Sequence, residues 1–545
     1  MKQTIFIFLL FYASFSGYSQ ETFMYRLILK DKGNPPFSIE QPEMFLSDKS
    51  IQRRTKQGFV TDSVDLPIDP SYFQAIANTG AEIRTFSKWA KTVVVHIPDL
   101  SLIPQLKNLS FVDTLYCVWK GSISPSFTRD LESSDNQPLG IPAFAGMTGS
   151  NNSYGAGYTQ ISLNNGHLLH DAGFRGQGMT IAVIDGGFVN ADLIDFFDSQ
   201  RIKDVKNFNH EINDFLREGI DHGTKVLSCM LSDKQGEMVG TAPEADYYLL
   251  RTEIDSEEYP VEEDYWIAAL EYADSIGADI ATSSLGYANF DDTSMNHTHN
   301  QLDGKSVPIS IAAGLAASRG ILLFNSAGNE RDDPWIKIMF PADAENMLAI
   351  GAINRDSVCS YFSSAGYTAD RRVKPDLMAM GTSNAIIGSN GQILSGNGTS
   401  YATPVLAGLS ACLWQALPAL TTFEMIELLR ETANAFSRPD SLMGYGIADV
   451  YKAYVQSKTG LKPVETENTF FFFVDSRENR LYLNFSHLQD NSKSVLNIYS
   501  SVGMKLLSVS KLSSSIDISS LPKGVYIAHL QTGDRPACVR KFIKM

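Results

Sequence analysis

The chain has 545 residues, and its 45 Lys and Arg against 61 Asp and Glu give a formal net charge of −16. This length exceeds what one hydrophobic core normally serves, so several domains are expected. The acidic balance argues against nucleic acid as the main partner, because phosphate backbones attract basic surfaces. A content of 43% hydrophobic and 11% aromatic residues excludes wholesale disorder.

The first twenty residues have the order of a secretory signal peptide. Lys2 precedes an apolar run from Ile5 to Ala13, and small residues follow up to Gln20, near which we expect cleavage. A membrane anchor is disfavoured, because the run is shorter than the about 20 residues that span a bilayer. No other segment approaches that length, so we expect no stable membrane span.

Residues 21–120 predict a small α+β domain. Strand patterns cover 24–29 and 92–97, and helical patterns cover 71–79 and 102–109. Residues 121–153 are rich in Ser, Pro, Gly and Asn, which predicts a linker.

From Leu168 onward, short apolar strand patterns alternate with helical patterns. The strand patterns cover 179–184, 246–250, 280–285, 321–326 and 348–353, and a helical pattern covers 265–276. Such alternation predicts an α/β domain with a parallel sheet and helices on both faces. We therefore expect the active site outside the carboxyl ends of the strands.

After about Gly460 the helical patterns give way to strand patterns. Alternating strand patterns such as 480–485 and 495–499 are separated by turns, which predicts a small all-β sandwich domain at the end of the chain.

Four short motifs supply the groups that peptide hydrolysis by a serine requires. Asp185 ends an apolar strand and precedes two glycines, which let the chain turn sharply. His222 stands just before an apolar helical stretch. Ser400 opens a predicted helix, whose free N–H groups point at a developing oxyanion. Asn329 follows the strand pattern 321–326, where its amide could complete an oxyanion hole.

Each motif alone is more often a turn or a helix start than a catalytic element. The order Asp, His, Asn, Ser within one α/β pattern is much harder to obtain by chance, and Asp, His, Ser is the order of subtilisin. We therefore predict Asp185, His222 and Ser400 as a catalytic triad and Asn329 as the oxyanion donor.

Residues 154–457 thus resemble the catalytic domain of the subtilisin-like serine proteases, the subtilase family. Further matching motifs are the segments 173–178, 240–243 and 374–377. The resemblance implies a secreted endopeptidase that cleaves proteins or peptides through an acyl-enzyme intermediate. It also implies that Ser284, Leu285 and Gly286 line the substrate cleft and pair with an extended peptide, whereas their alternative role is a tight strand end.

Two positions depart from the family pattern. Family members commonly have Thr after the catalytic Asp and a second His three residues after the catalytic one, and Gly186 and Lys225 occupy these places. Neither position relays the proton, so the departures affect substrate preference and local packing more than activity.

The flanking domains also resemble known companions of secreted subtilases. Residues 21–120 resemble an inhibitory propeptide. Residues 467–545 resemble the C-terminal sorting domain of type IX secretion, through the segments 497–499, 516–518, 524–526 and 541–544. This resemblance implies the type IX machinery as a partner and export through the periplasm to the surface or the medium. A carbohydrate-binding or purely structural sandwich is the alternative for this tail.

The predicted chemistry uses protein groups alone, so we expect no cofactor, and structural calcium is left open. An inactive subtilase fold that binds peptides or mediates adhesion is the main alternative, and the presence of all four chemical groups disfavours it. An esterase or lipase is disfavoured because Ser400 does not lie in a Gly-x-Ser-x-Gly turn and the order of the triad differs.

Overall fold

The computed structural model describes residues 22–121, 153–209, 214–459, 471–475, 480–484, 494–500, 503–510, 515–532 and 538–544. The predicted signal peptide and nearly all of the predicted linker lie outside these residues. The chain divides into two compact units, Met1–Lys458 and Thr459–Met545. The first unit contains an N-terminal domain, residues 22–121, and an α/β domain that begins at residue 153.

The N-terminal domain is a four-stranded antiparallel sheet in the order β2-β3-β1-β4, with three helices. Its elements are β1 (Thr22–Leu29), α1 (Asp48–Lys56), α2 (Pro70–Ala77), β2 (Glu82–Ser87), β3 (Thr92–Ile97), α3 (Ile103–Lys107) and β4 (Val112–Gly121). The predicted strands and helices are confirmed to within about two residues at most ends, whereas α1 was not predicted.

Strand β3 is buried on both faces, because the N-terminal domain has two neighbours. Val93 and Val95 belong to the domain's own core. Val94, one step out of phase with them, packs in a cluster that also contains Trp266 and Leu270 of the α/β domain. The N-terminal domain is therefore docked on the α/β domain through one face of its sheet.

The α/β domain is built on seven parallel strands in the order β13-β12-β11-β10-β5-β9-β6. The strands are β5 (Thr180–Asp185), β6 (Ile202–Asn207), β9 (Asp246–Arg251), β10 (Ile280–Ser283), β11 (Leu322–Ser326), β12 (Leu348–Ile353) and β13 (Leu377–Met380). Two hairpins flank the sheet: β7 (Asp233–Lys234) with β8 (Met238–Val239), and β14 (Asn384–Ile387) with β15 (Ile393–Gly396). The predicted parallel sheet is confirmed.

Helices cover both faces of this sheet. They are α4 (Tyr158–Ser162), α5 (Gly166–Asp171), α6 (His222–Leu231), α7 (Val261–Ile276), α8 (Pro308–Leu315), α9 (Thr399–Ala416), α10 (Thr422–Glu431) and α11 (Val450–Thr459). Strand β5 shows why both faces need cover, since all six of its residues are buried. Ile181 and Val183 share a core with α6 and α9, whereas Ala182 and Ile184 share the other core with α7 and α8.

The C-terminal unit contains two antiparallel sheets, β16-β17-β20 and β19-β18-β21-β22. Its strands are β16 (Phe471–Asp475), β17 (Arg480–Asn484), β18 (Ser494–Ser500), β19 (Lys505–Val509), β20 (Ser515–Asp517), β21 (Gly524–Thr532) and β22 (Cys538–Lys544). Leu481 and Ile516 from one sheet share a core with Ile498 and Leu530 from the other. The unit is thus an all-β sandwich, as predicted. Within the described residues, no helix has the length and apolarity to cross a membrane.

Candidate active site

Asp185 lies at the carboxyl end of β5, an interior strand of the sheet, and is fully buried. Its Oδ1 accepts a hydrogen bond from the Gly186 N–H at 2.8 Å. The glycines that follow are required by close packing, since a Cβ atom on Gly187 would lie 2.3 Å from the carbonyl oxygen of Ile220. The sharp turn predicted after Asp185 therefore exists, and it brings the segment that carries His222 against the strand end.

His222 is the first residue of α6, and its Nδ1 lies 2.6 Å from Asp185 Oδ1. This approach requires a glycine at position 223, because a Cβ atom there would lie only 2.9 Å from the Cβ of Asp185. Burial lowers the pKa of His222, but the charge of Asp185 and its hydrogen bond outweigh that effect, so the pKa lies above the ordinary 6.5. The carboxylate is thus placed to orient the imidazole and to stabilise its protonated form.

Lys225 stands one helical turn after His222 and is 6% exposed. Its Nζ pairs with Asp221 Oδ1 at 2.8 Å, and Asp221 Oδ2 accepts a hydrogen bond from Ser389 Oγ at 3.0 Å. These contacts tie the residue before His222 to the hairpin of β14 and β15. The departure from the family pattern at Lys225 therefore has a structural role beside the imidazole.

Ser400 is the second residue of α9 and is 8% exposed. Its Oγ donates to the Ser284 carbonyl at 3.2 Å, and Ser284 Oγ donates to the Ser400 carbonyl at 2.8 Å. Pro404 explains the second bond, because a proline four residues along a helix has no N–H for that carbonyl. Pro404 is visible in the sequence of this motif. It leaves the Ser400 carbonyl without a helical partner, so this carbonyl accepts the hydrogen bond from Ser284 Oγ.

Helices α6 and α9 lie side by side, and the rings of His222 and Tyr401 are 6.1 Å apart. In the described residues Ser400 Oγ is bonded to Ser284 and not to the imidazole of His222. Such bonds are often long or unformed without substrate and tighten when it binds. The structure therefore brings Asp185 and His222 into contact and places Ser400 on the adjoining helix.

Asn329 follows β11 through Ala327 and Gly328, and its side chain is oriented by Thr399. Its Oδ1 accepts bonds from the Thr399 N–H at 2.9 Å and from Thr399 Oγ1 at 3.0 Å. A Cβ atom placed on Gly398 would lie 3.7 Å from Asn329 Nδ2 and 3.6 Å from the Ser400 nitrogen. Two donors thus border one space at the start of α9, as an oxyanion hole requires. Thr399, which sequence reasoning did not single out, aims the Asn329 amide.

One group of carboxylates in the described residues could hold a cation. Oxygens of Glu253, Glu258 and Glu262 lie within 4.8 Å of one another. Burial, chiefly, raises the pKa of Glu253 to about 7 and that of Glu258 to about 8. Both Glu262 oxygens already accept backbone N–H groups, from Ile254 at 2.7 Å and Tyr259 at 2.9 Å. Hydrogen bonds within the protein therefore already hold the Glu262 carboxylate in place.

Charged contacts hold the N-terminal domain on α7. Arg26 Nε donates to both oxygens of Asp264 at 2.8 Å. Glu271 accepts bonds from Ser87 Oγ at 2.5 Å and from the Trp89 N–H at 3.0 Å. At the end of β4, Trp119 Nε1 donates to Glu257 at 2.7 Å. The end of β4 therefore lies next to the loop after β9.

Buried arginines of α1 extend this interface. Arg54 Nη1 lies 2.9 Å from Asp65 Oδ2 and its Nη2 lies 2.6 Å from Asp274 Oδ2. Arg53 adds a 2.5 Å contact to Asp274, and Arg319 lies 2.9 Å from Asp65. Because these carboxylates are fully buried, the pairs form a continuous ionic network between the two domains.

Three family models match successive parts of the chain. Residues 176–446 match the subtilase family of S8 peptidases, residues 24–135 match the S8 propeptide domain of Bacteroidota, and residues 477–545 match a secretion system C-terminal sorting domain. The matched subtilase segment contains Asp185, His222, Asn329 and Ser400.

Curated relatives align over about half of the chain. Subtilisin E of Bacillus subtilis is 28% identical over 281 residues, which cover 50% of this chain and 65% of that protein. The subtilisin-like protease SBT6.1 of Arabidopsis thaliana is 27% identical over 316 residues, which cover 54% of this chain and 28% of that protein. The chain thus spans less than two thirds of the length of these relatives.

A solved structure agrees on the fold. The epidermin leader peptide processing serine protease (EpiP) of Staphylococcus aureus superposes with a TM-score of 0.53 at 16% identity, covering 80% of this chain and 98% of that one. The chain is a member of the subtilase family, with a propeptide domain of the Bacteroidota type before its α/β domain and a type IX sorting domain after it.

Proposed function

We propose that this chain is a secreted serine endopeptidase in which Asp185, His222 and Ser400 form the catalytic triad and Asn329 donates to the oxyanion. The observation that carries the proposal is the 2.6 Å contact between His222 Nδ1 and the buried Asp185 carboxylate. Ser400 is the second residue of the helix next to that of His222, and two donors, the Ser400 N–H and Asn329 Nδ2, border one space at the start of that helix. This combination supplies each group that acyl transfer from a peptide requires.

In the proposed reaction, His222 Nε2 takes the proton of Ser400 Oγ as that oxygen attacks the peptide carbonyl carbon. The oxyanion accepts hydrogen bonds from Asn329 Nδ2 and the Ser400 N–H. Asp185 stabilises the imidazolium that forms, which then protonates the leaving amine. His222 then takes a proton from water as the water oxygen attacks the acyl carbonyl carbon, and it returns that proton to Ser400 Oγ as the bond between this oxygen and the acyl carbon breaks. The chemistry uses protein groups alone, so we propose an enzyme that needs no cofactor for this step.

The N-terminal domain acts in this proposal as a propeptide that the enzyme removes from itself. It is supported by the buried ionic contacts of Arg26 and Arg54 and by the position of β4, whose last residues contact the loop after β9. The cut would fall in the segment between Gly121 and residue 154.

The sorting domain supports delivery by the type IX machinery, which would take the chain from the periplasm to the cell surface or the medium. Proteins or peptides are the proposed substrates, with Ser284, Leu285 and Gly286 as backbone partners of an extended chain. A subtilase fold that only binds peptides is the alternative, and it would show the same interface without turnover.

Labelling with a fluorophosphonate probe, followed by digestion of casein, tests the function. We expect the wild-type chain to be labelled and active. Ser400→Ala should lose the label and about 10⁶-fold in kcat, the loss measured when the nucleophile is removed from the related subtilisin. It should also retain the N-terminal domain as an uncut, larger band.

The matched control is Ser410→Ala, on the same helix. Ser410 is buried and its Oγ has no hydrogen-bond partner in the described residues, so its removal should leave labelling and digestion unchanged. Full peptidase activity in Ser400→Ala would refute the triad. Normal removal of the N-terminal domain without activity would refute only self-processing.

A further inference from the structure

A buried arginine lies behind the turn that follows Asp185. Arg251 ends β9, pairs with Asp185 in the register of β5 and β9, and has a fully buried side chain. Its Nε donates to the Gly186 carbonyl at 2.8 Å. A buried charge is unfavourable unless it is paired and hydrogen-bonded. The proposed reaction gives this cation no role, so another reason must account for its place beside the site.

Three further side chains hold the guanidinium group of Arg251. Its Nη1 donates to Asn209 Oδ1 at 2.6 Å and to Asn207 Oδ1 at 3.3 Å, and its Nη2 pairs with Asp255 Oδ1 at 2.5 Å. Asn207 ends β6, and Asp255 follows β9. The planar fork of an arginine makes these bonds and reaches Gly186 at the same time, which a lysine ammonium group cannot do. The guanidinium group therefore joins the ends of β6 and β9 to the turn after β5.

Hydrogen bonds hold the backbone on both sides of Gly186. The carbonyl of Asp185, just before it, accepts a bond from the Thr252 N–H at 3.1 Å, and its own carbonyl accepts the bond from Arg251. These two bonds fix the two peptide planes that meet at the Gly186 Cα. A glycine has more backbone freedom than the Thr that family members commonly have at this place, because it lacks a Cβ atom. The two bonds therefore supply a restraint that the residue itself does not.

The orientation of the Asp185 carboxylate depends on this turn. Its Oδ1 accepts a bond from the Gly186 N–H at 2.8 Å and lies 2.6 Å from His222 Nδ1. Its Oδ2 is buried and has no hydrogen-bond partner in the described residues. Within this part of the chain the two contacts of Oδ1 therefore hold the carboxylate, and one of them comes from the turn. A change in the direction of the Gly186 N–H would rotate the carboxylate away from the imidazole.

We propose that Arg251 is a positioning residue of the candidate triad, which holds the Gly186 backbone so that the Asp185 carboxylate meets His222. The proposal rests on the proposed function and adds to it a residue that acts through Asp185 and not on the substrate. The competing explanation is purely structural, in that Arg251 only ties the ends of β6 and β9 together. The two explanations differ in whether an effect of Arg251 on turnover requires Asp185.

Arg251→Lys keeps the positive charge but loses the fork, so it tests position apart from charge. We expect kcat on a fluorogenic peptide to fall by about 10-fold to 100-fold with KM nearly unchanged, because misplacement of a catalytic group by about 1 Å costs up to about 100-fold. Burial lowers the pKa of His222, and the charge and hydrogen bond of Asp185 chiefly raise it above 6.5. The acidic limb of kcat/KM should therefore move down toward pH 6.5 in Arg251→Lys. The other ionisable groups around this pair are the same in both proteins, namely Asp221, Lys225 and Glu253.

A double-mutant cycle with Asp185→Ala separates positioning from a structural role. Loss of Asp185 alone should lower kcat by about 10⁴-fold. Addition of Arg251→Lys should then lower it by less than about 2-fold, because no carboxylate remains to be positioned. All rates are read against Ser400→Ala as the blank. An equal loss from Arg251→Lys in the two backgrounds would show a structural role and overturn the inference.

Arg430→Lys is the matched control. Arg430 Nη2 pairs at 2.6 Å with the buried Asp376, which precedes β13 at the end of the sheet opposite to Asp185. This variant should keep the wild-type kcat and acidic limb. If Arg251→Lys is not recovered folded, Asn209→Ala takes its place, because it removes one acceptor of the guanidinium group and leaves the charge. It should change kcat and the acidic limb in the same directions by smaller factors.

Unchanged kcat and an unmoved acidic limb in the folded variant at Arg251, or in Asn209→Ala where that variant replaces it, would also overturn the inference. Fluorophosphonate labelling of the wild-type chain separates this failure from that of the proposed function. A labelled, active wild-type chain whose turnover is insensitive to Arg251 refutes only the positioning role. An unlabelled, inactive wild-type chain refutes the proposed function.

Discussion

Replacing Arg54 by Met should loosen the N-terminal domain without disturbing the α/β domain. Arg54 is 2% exposed and bonds to Asp65 and Asp274, which are both fully buried. Removal of one partner from a buried ion pair costs about 3–5 kcal/mol, because a charge is left uncompensated. Asp65 keeps Arg319 at 2.9 Å and Asp274 keeps Arg53 at 2.5 Å, so we expect the lower end of this range.

A loss of about 3 kcal/mol in the stability of this interface raises the equilibrium constant for local opening of α1 by about 100-fold. Hydrogen exchange followed by mass spectrometry measures it in the Ser400→Ala background, where the N-terminal domain should remain attached. The amides of α1 should exchange about 100-fold faster, while those of α6 keep their rates.

Arg84→Met is the matched control, because Arg84 pairs at 3.0 Å with Glu82, whose side chain is 60% exposed. Exposed pairs contribute about 0–1 kcal/mol, so exchange in α1 should change little. If Arg54→Met accelerates α1 no more than Arg84→Met does, the buried network does not hold the domain in place.

Four further predictions concern the site and the tail. Asn329→Ala should lower kcat by about 10²–10³-fold with little change in KM, the loss measured for removal of this donor in the related subtilisin; an effect confined to KM would contradict the role. The acidic limb of kcat/KM should lie above pH 6.5, because His222 must be neutral to accept the proton and its pKa is raised despite burial. The Lys225 ammonium lowers the pKa of His222, and the Asp221 carboxylate that it pairs with raises this pKa. Lys225→Met should therefore raise the pKa of His222 and move the acidic limb to higher pH. If the limb moves no more than in Lys203→Met, Lys225 does not influence the titration of His222. Deletion of residues 467–545 should leave active protease in the periplasm, and normal export of that protein would contradict the sorting role.

Some structure was readable because it is encoded locally. Strand β5 is a run of apolar residues that ends in Asp185, and such a run indicates a strand buried on both faces. Helix α7 repeats its apolar residues at helical spacing. The residue types and order of the four site motifs likewise needed no fold to be recognised.

Helix α1 shows what local patterns cannot predict. Its sequence, DKSIQRRTK, has a single apolar residue, Ile51, so it offers no series of apolar residues at helical spacing. It is held by Arg53 and Arg54, whose partner Asp274 lies more than 200 residues away. Position in the sheet likewise explains why β6, Ile202–Asn207, is largely polar: it is an edge strand that pairs with β9 on one side only.

The sequence by itself determined the alternation of strands and helices and the families of the two flanking domains, and it predicted the four residues of the candidate site, because these depend on residue type and order along the chain. Only the tertiary structure decided that Thr399 aims Asn329, that Lys225 holds Asp221 beside His222, and that Arg251 donates to the Gly186 carbonyl. Each of these contacts joins segments that are distant in sequence or fixes a direction in space. The strand order of the sheet and the packing of its helices set such contacts, and neither is written in the local pattern of residues.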